Sequence, residues 1–379
     1  MRNQNPVIWV ILIIALVGLS LSMAVFYKGN KPLVPSLDMP TLKSTPTLGS
    51  SIATAPPASI TKTSISNAAV TLTQETGLAI LQTTQLSPTA TSHPLCNGPA
   101  TMSLLVIGSD QRGASYLYGL ADSIYVIYID FTIPKMMILD FPRDLWVEIP
   151  GISDHHGITH GKINQAYLFG NPGMGYYDGS GEGPGLLALT LDHNFGLRVD
   201  HYLAIDMQTF VKLIDAVGGV DVKLESPADL NNGFDTPDPT LILSKGIHHL
   251  DGELALIMAT NRVPSTFQRI KYQRIILYAL REKLLSPGMI SKIPGLVARF
   301  FSSIRTDLNL FDINSLICIA KAVTKENIQA DSFPQEMFKS NVTYDQYRNV
   351  STLIYEADFN QIRAIVKDFM NGIWPFSEK

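Results

Sequence analysis

Residues 123–142 read SIYVIYIDFTIPKMMILDFP. Two apolar runs, 123–131 and 135–142, are joined by Thr132, Ile133 and Pro134, and the pattern predicts two neighbouring strands linked as a hairpin. Upstream, SLLVIGSD (103–110) is a short apolar run that stops at Gly and Asp, as expected of a buried strand whose carboxyl end opens into a loop. Downstream, VDHYLAIDM (199–207) reads as a further strand, and residues 207–219 follow as an amphipathic helix closed by two glycines. VDVKLESP (220–227) alternates as a strand. DGELALIMATNR (251–262) opens on an acidic cap and continues as a largely buried helix, and 267–285 is the longest helical pattern. Further helical patterns cover 293–323 and 358–373, the latter two forming a C-terminal helical extension. Strands interspersed with helices predict an α/β fold, a mixed central sheet covered by helices.

The chain has 379 residues, 46% hydrophobic and only 16% charged, with a mean hydropathy of +0.14. Disorder over the whole length is excluded by that composition. A net charge of −4 removes any general electrostatic case for nucleic-acid binding.

The apolar excess is uneven. Residues 7–27, VIWVILIIALVGLSLSMAVFY, carry no charge and are long enough to cross a hydrocarbon core of roughly 30 Å. A cleaved signal peptide is the competing reading, but the run ends at Phe26, Tyr27 and Lys28, a poor cleavage context. Residues 1–28 are therefore expected to be a cytoplasmic end and a transmembrane signal anchor. Between Lys31 and Leu95, 30 of 65 residues are Ser, Thr or Pro, so 29–95 is expected to be a disordered stalk. Residues 96–379 then form one folded unit with 24 basic and 31 acidic side chains, again without a basic bias. Cys96 and Cys318 are either a disulfide or two unrelated buried thiols.

With charges so scarce, their placement is informative. Asp110 and Arg112 end the first strand, Asp122 opens the second, and Arg143 and Asp144 follow the third. Lys162 and Asn164 lie in HGKINQAY, while Arg262, Arg269 and Gln273 fall in or beside the late helices. Arg269 and Gln273 are four apart and share a helical face. Several arginines and a few carboxylates at strand ends suit a divalent ion held by carboxylate oxygens and a diphosphate held by guanidinium forks. His155, His156 and His160 lack a zinc spacing. The glycine-rich stretch 170–185 lacks the flanking strand and Lys-Ser/Thr of a phosphate loop, and reads as a mobile rim or lid. Apolar helical stretches at 294–304 and 314–323 are core, or the lining of a tunnel for a lipid tail.

Seven segments in order, GSDQR, ADSIYVIYID, FPRDLWVEIPG, GKINQAY, VDHYLAIDMQTFVKLIDAVGGVDV, GIHHLDGELAL and TFQRIKYQR, resemble the LytR-CpsA-Psr domain of bacterial envelope proteins over about residues 102–285. The resemblance implies an α-β-α sandwich. It also implies a phosphotransferase that uses magnesium or manganese to move an anionic glycopolymer from a polyprenyl diphosphate carrier to peptidoglycan, from a single-pass cell-membrane protein whose carboxyl-terminal domain is extracytoplasmic. Asp110 and Asp122 match the family's first acidic positions and would hold or orient the metal. Arg143, Arg262 and Arg269 would hold the diphosphate, with Arg112, Lys162, Asn164 and Gln273 in support. Asp122, Arg143 and Asp144 are the candidate catalytic groups, and either aspartate is placed to take the acceptor hydroxyl's proton.

The chain departs from the family pattern in three places. Leu120-Ala121-Asp122-Ser123 stands for a common Arg-Ser-Asp-Thr, Thr266-Phe267-Gln268-Arg269 for Asp-Phe-Gly-Arg, and Tyr272 for a second helical arginine. A membrane-tethered lipid-binding protein that has lost turnover is the alternative reading. A transcriptional attenuator is disfavoured by the net-acidic domain beyond an anchor.

Overall fold

The structure is a computed structural model. It describes Leu37 and residues 93–111, 119–152, 154, 156–231, 237–263, 265–284, 286–290, 292–300 and 303–376. The expected anchor, nearly all of the stalk and Arg112 lie outside these residues. No helix among the described residues is long and apolar enough to cross a membrane.

The strands are β1 (Thr101–Ser109), β2 (Ala121–Asp130), β3 (Lys135–Asp140), β4 (Trp146–Glu148), β5 (His160–Lys162), β6 (His201–Asp206), β7 (Val220–Leu224), β8 (Ala228–Asp229), β9 (Ile242–Leu243), β10 (Gly246–Leu250), β11 (Ile304–Thr306), β12 (Ile328–Ser332), β13 (Phe338–Asp345) and β14 (Val350–Ala357). The helices are α1 (Ile163–Phe169), α2 (Glu182–Phe195), α3 (Met207–Ala216), α4 (Gly252–Thr260), α5 (Thr266–Leu284), α6 (Pro287–Ile290), α7 (Ile293–Phe300), α8 (Leu310–Ala322) and α9 (Phe359–Met370).

Six strands form the central sheet in the order β11-β6-β1-β2-β3-β12. β1 and β6 pair in parallel, as do β3 and β12, whereas β2 runs against both β1 and β3. The sheet is therefore mixed. Its strands bury both faces, which is why their sequences read as apolar runs. Leu104 and Val106 of β1 face one core with α3, α4, α5 and α8. Leu105 and Ile107 face a second core with α1, α2 and α9. The result is the expected α-β-α sandwich.

The β2–β3 hairpin forms as predicted, with Tyr125 opposite Asp140. Asp206 caps α3 by accepting from the Thr209 N–H, and Gly218 and Gly219 follow that helix at φ 78° and 74°, the left-handed conformation that glycine adopts without strain. Asp251 caps α4 through Leu254 N–H, as its position before the apolar run predicted.

Two expectations are corrected. The segment after residue 285 carries helices within 293–323 and 358–373 as expected, but it is not helical alone, because β11 and β12 supply both edges of the central sheet and β13–β14 is a hairpin. The strand expected at 220–227 forms as β7 and pairs with β10 outside the central sheet. The last quarter of the glycine-rich stretch is not loop, since Glu182 begins α2, whose first turn packs on α1. A Cβ on Gly183 would lie 2.6 Å from the Tyr167 carbonyl oxygen, so glycine there serves close helix packing. Cys96 and Cys318 form a disulfide across 222 residues, which settles the choice between bridge and free thiols.

Candidate active site

β1 and β3 end at the same edge of the sheet, where β2 begins, and the charged residues gather there. The β1–β2 register breaks at this point: Gly108 opposes Ser123 but Ser109 opposes Ala121, leaving Asp122 as the extra residue of a bulge. Bulges re-aim a side chain at the end of a ladder. Here the Asp122 carboxylate meets the Arg143 guanidinium, which leaves β3 just beyond Pro142. Asp110 is tied to the chain before Asp122, with its N–H donating to the Leu120 carbonyl at 3.0 Å and its carboxylate accepting from the Leu120 N–H.

Arg143 Nε lies 3.3 Å from Asp144 Oδ2, and Lys162 Nζ lies 3.0 Å from Asp144 Oδ1. The small β4–β5 hairpin makes this possible by placing Lys162 opposite Trp146, two residues beyond Asp144. The Lys162 N–H donates to Gln165 Oε1, and Gln165 Nε2 donates to Asp345 Oδ2 in the C-terminal hairpin. Burial works against the charge on Arg143, but Asp122 and Asp144 outweigh it and hold its pKa above the ordinary arginine value. Burial likewise works against ionised Asp144, and Arg143 with Lys162 reverses this, holding its pKa below the usual carboxylate range.

Two more guanidiniums come from the far layer. At the end of α4, Asn261 donates to the Asp229 carbonyl and accepts from the Val263 N–H, turning the chain so that Arg262 Nη2 stands 3.9 Å from Asp122 Oδ2. Arg269, in the first turns of α5, is 2% exposed. Its Nε and Nη1 have no hydrogen-bond partner among the described residues. Burial, and then the nearby positive charge of Arg143, lower its pKa to about 10. Arg262 is pushed down for the same two reasons. Asn164 is also buried, its N–H donating to the Arg143 carbonyl and its Oδ1 unpartnered among the described residues. Phe267 packs on Phe338 and Tyr355 of the hairpin β13–β14, which braces the start of α5.

The structure thus joins Asp122, Arg143, Asp144, Lys162, Asn164, Arg262 and Arg269, with Asp110 at the neighbouring strand end. Gln273 departs from the expectation: it donates to the Ala259 carbonyl and accepts from the Tyr125 hydroxyl, away from the ion pairs. One turn of helix beyond Arg269 carries it into the wall of a cavity instead. Among the described residues no cluster of three metal-ligating side chains occurs.

That cavity holds about 1140 Å³ of free space, counting its open side, and lies between the sheet and helices α3, α4 and α5. Val106, Ile138, Phe210, Leu256, Ile276 and Leu277 form much of its wall. Asp122 belongs both to the wall and to the charged cluster, so polar and apolar sites adjoin. The apolar stretches at 294–304 and 314–323 supply none of the lining among the described residues and serve the core. Asp140 and Arg274 also line the cavity and were not singled out as a pair from the sequence; the available signal was a charged residue closing an otherwise apolar strand.

Comparisons with known proteins agree with this architecture. The regulatory protein MsrR of Staphylococcus aureus (strain COL) is 30% identical over 222 residues, 56% of this chain and 59% of that protein. The polyisoprenyl-teichoic acid–peptidoglycan teichoic acid transferase TagU of Oceanobacillus iheyensis is 30% identical over 219 residues, 57% of this chain and 62% of that protein. The chain thus spans about three fifths of the length of these relatives. The crystal structure of Bacillus subtilis TagV shares the fold at a TM-score of 0.53 and 24% identity, over 72% of this chain and 98% of that one. The LytR_cpsA_psr family pattern matches residues 61–364, most of the sequence, and the chain belongs to that family.

Proposed function

We propose that the chain is a membrane-tethered phosphotransferase that moves an anionic glycopolymer from a polyprenyl diphosphate carrier to peptidoglycan. The observation that carries this reading is Arg269, a buried guanidinium with two unpaired nitrogens among the described residues, grouped with Arg143 and Arg262 next to an apolar cavity. A buried cation in excess of its carboxylates is costly until an anion joins it. A diphosphate on a long apolar chain would satisfy both halves of the site. The teichoic acid transferase named among the relatives supports the same direction.

In this reading the acceptor sugar hydroxyl bonds to the phosphorus that carries the glycopolymer, the bond to polyprenyl phosphate breaks, and the hydroxyl proton passes to a carboxylate. Asp122 and Asp144 both pair with Arg143, and one of these two carboxylates takes that proton. Arg143, Arg262 and Arg269 neutralise the leaving phosphate, each contributing about 3 kcal/mol of transition-state stabilisation. Magnesium or manganese would be held by Asp110 and Asp122, since such ions take one or two carboxylates and complete their shell with phosphate and water. When bound, the ion would add positive charge at the diphosphate oxygens. Residues 7–27 would be the anchor and the domain would lie outside the cytoplasm, a compartment in which a disulfide such as Cys96–Cys318 persists.

One observation favours a second reading, a lipid-binding protein without turnover: Tyr272 is buried in the core at a position where the family pattern carries arginine. The two readings separate in one assay. With a glycopolymer polyprenyl diphosphate and peptidoglycan, the wild type is expected to release polyprenyl phosphate, and Arg269→Met to slow release by about 10²–10³. Equal background release by the wild type and Arg143→Ala, with lipid binding retained by both, would overturn the enzyme reading in favour of the second.

A further inference from the structure

The C-terminal hairpin β13–β14 reaches the charged row at both ends of the Asp144–Lys162 pair. The Tyr355 N–H of β14 donates to the Asp144 carbonyl at 2.9 Å, and Leu145 and Tyr355 form a parallel bridge. Asp345, the last residue of β13, accepts from Gln165 Nε2 at 2.9 Å, and Gln165 Oε1 accepts from the Lys162 N–H at 2.7 Å. Lys162 in turn brings Nζ to 3.0 Å from Asp144 Oδ1. A closed circuit therefore runs from Asp144 through Lys162, Gln165 and the hairpin back to Asp144.

A glutamine that reaches back to the N–H ahead of its helix is an ordinary cap, and in water it needs nothing behind it. Gln165 and Asp345 are each only 2% exposed, so the amide is withdrawn from water and its other end must be met by protein. The relay also has a fixed direction. A main-chain N–H can only donate, so the amide oxygen faces Lys162 and the amide nitrogen faces an acceptor, which the carboxylate supplies. Asp345 is itself held from the other side, its Oδ1 accepting from the Arg348 N–H at 3.0 Å in the hairpin's turn. Gly161 leaves the room this requires, since a Cβ there would stand 2.9 Å from Gln165 Oε1.

We propose that Gln165 and Asp345 are positioning residues that fix the main chain at Lys162 so that its ammonium meets Asp144. The C-terminal hairpin thereby sets the geometry of a site whose charged groups all come from residues 110–269. The effect on rate rests on the phosphotransferase reading, whereas the placement of Lys162 does not.

The test reverses the relay. Asp345→Asn makes two amide nitrogens face each other, and Gln165→Glu makes two carboxylates do so. The double variant Gln165→Glu/Asp345→Asn restores one donor and one acceptor at each contact, with the charge moved from one residue to the other. Two quantities are read on the full-length chain: trace acetylation of Lys162 by acetic anhydride, located by mass spectrometry, and release of polyprenyl phosphate from a glycopolymer polyprenyl diphosphate with peptidoglycan. Each single variant is expected to raise Lys162 acetylation about tenfold. Lys135, whose Nζ donates to the Gly372 carbonyl at the opposite end of β3, should be acetylated as in the wild type. Each single variant should also lower kcat about tenfold and leave KM for the lipid within about twofold, since the cavity and Arg269 are untouched. The double variant should return both quantities to within about threefold of the wild type. Should neither single variant fold, Gln165→Ala carries the test with the same two changes expected, because it opens the Lys162 N–H and Asp345 to water without setting like groups against each other.

Unchanged acetylation of Lys162 in the single variants overturns the inference, as does a double variant no better than they are, or a kcat that holds while Lys162 becomes acetylated. Acetylation that rises and is rescued as expected, in a chain whose wild type releases no polyprenyl phosphate, keeps the positioning of Lys162 and overturns the phosphotransferase reading instead.

Discussion

Arg143 and Asp122 form an ion pair that joins the end of β3 to the start of β2, with side chains only 8% and 9% exposed. Asp144 takes the other edge of the same guanidinium, and Lys162 takes the other oxygen of Asp144. Four charges thus fix one another in a row across the sheet edge. The row holds Arg143 rigid before any ligand arrives, the kind of preorganisation that electrostatic stabilisation of a transition state requires.

Removing the centre of that row should be severe. Arg143→Ala leaves Asp144 to Lys162 and Asp122 to Arg262 at 3.9 Å, and breaking a buried pair in this way costs about 3 kcal/mol. Urea unfolding would read this as a lower midpoint with an unchanged slope. Replacing Asp122, Arg143 and Asp144 together with Asn, Met and Asn should recover most of the stability while leaving no turnover. A triple variant as unstable as Arg143→Ala would mean that the pairing is not what the single substitution breaks.

Arg269 predicts the opposite sign. Because Nε and Nη1 are unpaired among the described residues, Arg269→Met removes a buried charge and keeps much of the side chain's packing. The ligand-free variant should be more stable by about 1–2 kcal/mol. Pyrophosphate should raise the melting temperature of the wild type, by an amount equivalent to about 2.7 kcal/mol at a hundred times its dissociation constant, and leave Arg269→Met unmoved. An equal pyrophosphate shift in both proteins would remove Arg269 from the anion site.

The Cys96–Cys318 disulfide closes most of the folded domain into one loop, tying the turn before β1 to α8. Cross-links of this kind typically stabilise by about 2–4 kcal/mol, chiefly by restricting the unfolded chain. Replacing both cysteines with serine should lower the denaturation midpoint by that amount, and reductant should shift the wild type to match. Because the bridge lies away from the charged cluster, pyrophosphate binding by the folded variant should be unchanged.

The strands of the sheet edge were legible in the sequence because each is an apolar run ending in a charged residue, and that pattern survives burial on both faces. Register was not. The bulge that turns Asp122 toward Arg143 depends on a one-residue mismatch between β1 and β2, which no property of either strand alone announces. Gln273 was placed with Arg269 because four residues share a helical face, yet one turn of rise along α5 is enough to move it from the ion pairs to the cavity. β11 and β12 escaped notice for a simpler reason. At three and five residues they are too short for a period to show, and their place at the sheet edges comes from packing with distant strands. The glycines at 183 and 185 resemble those of a loop, although the first is required by close packing on Tyr167 of α1 and the second by the approach of the Ser180 carbonyl.

Asp140 also sets the pH dependence of stability. Its folded pKa of about 6 lies above the ordinary 3.8, so the folded state holds a proton more tightly than the unfolded chain does. The stability this contributes is fully present below about pH 4 and is lost as pH rises through about 6, amounting to about 3 kcal/mol. Asp144 acts with the opposite sign: its lowered pKa contributes stability above the unfolded value that is lost as the pH falls further. The two effects overlap in the wild type, so the difference between the wild type and Asp140→Asn isolates the first. Between about pH 4 and 7 the wild type should lose stability relative to Asp140→Asn as pH rises, and the variant should be the more stable protein at about pH 8. Parallel stability curves across that range would show that the carboxyl of Asp140 titrates alike in the folded and unfolded chains, and that burial in the cavity wall does not hold it protonated.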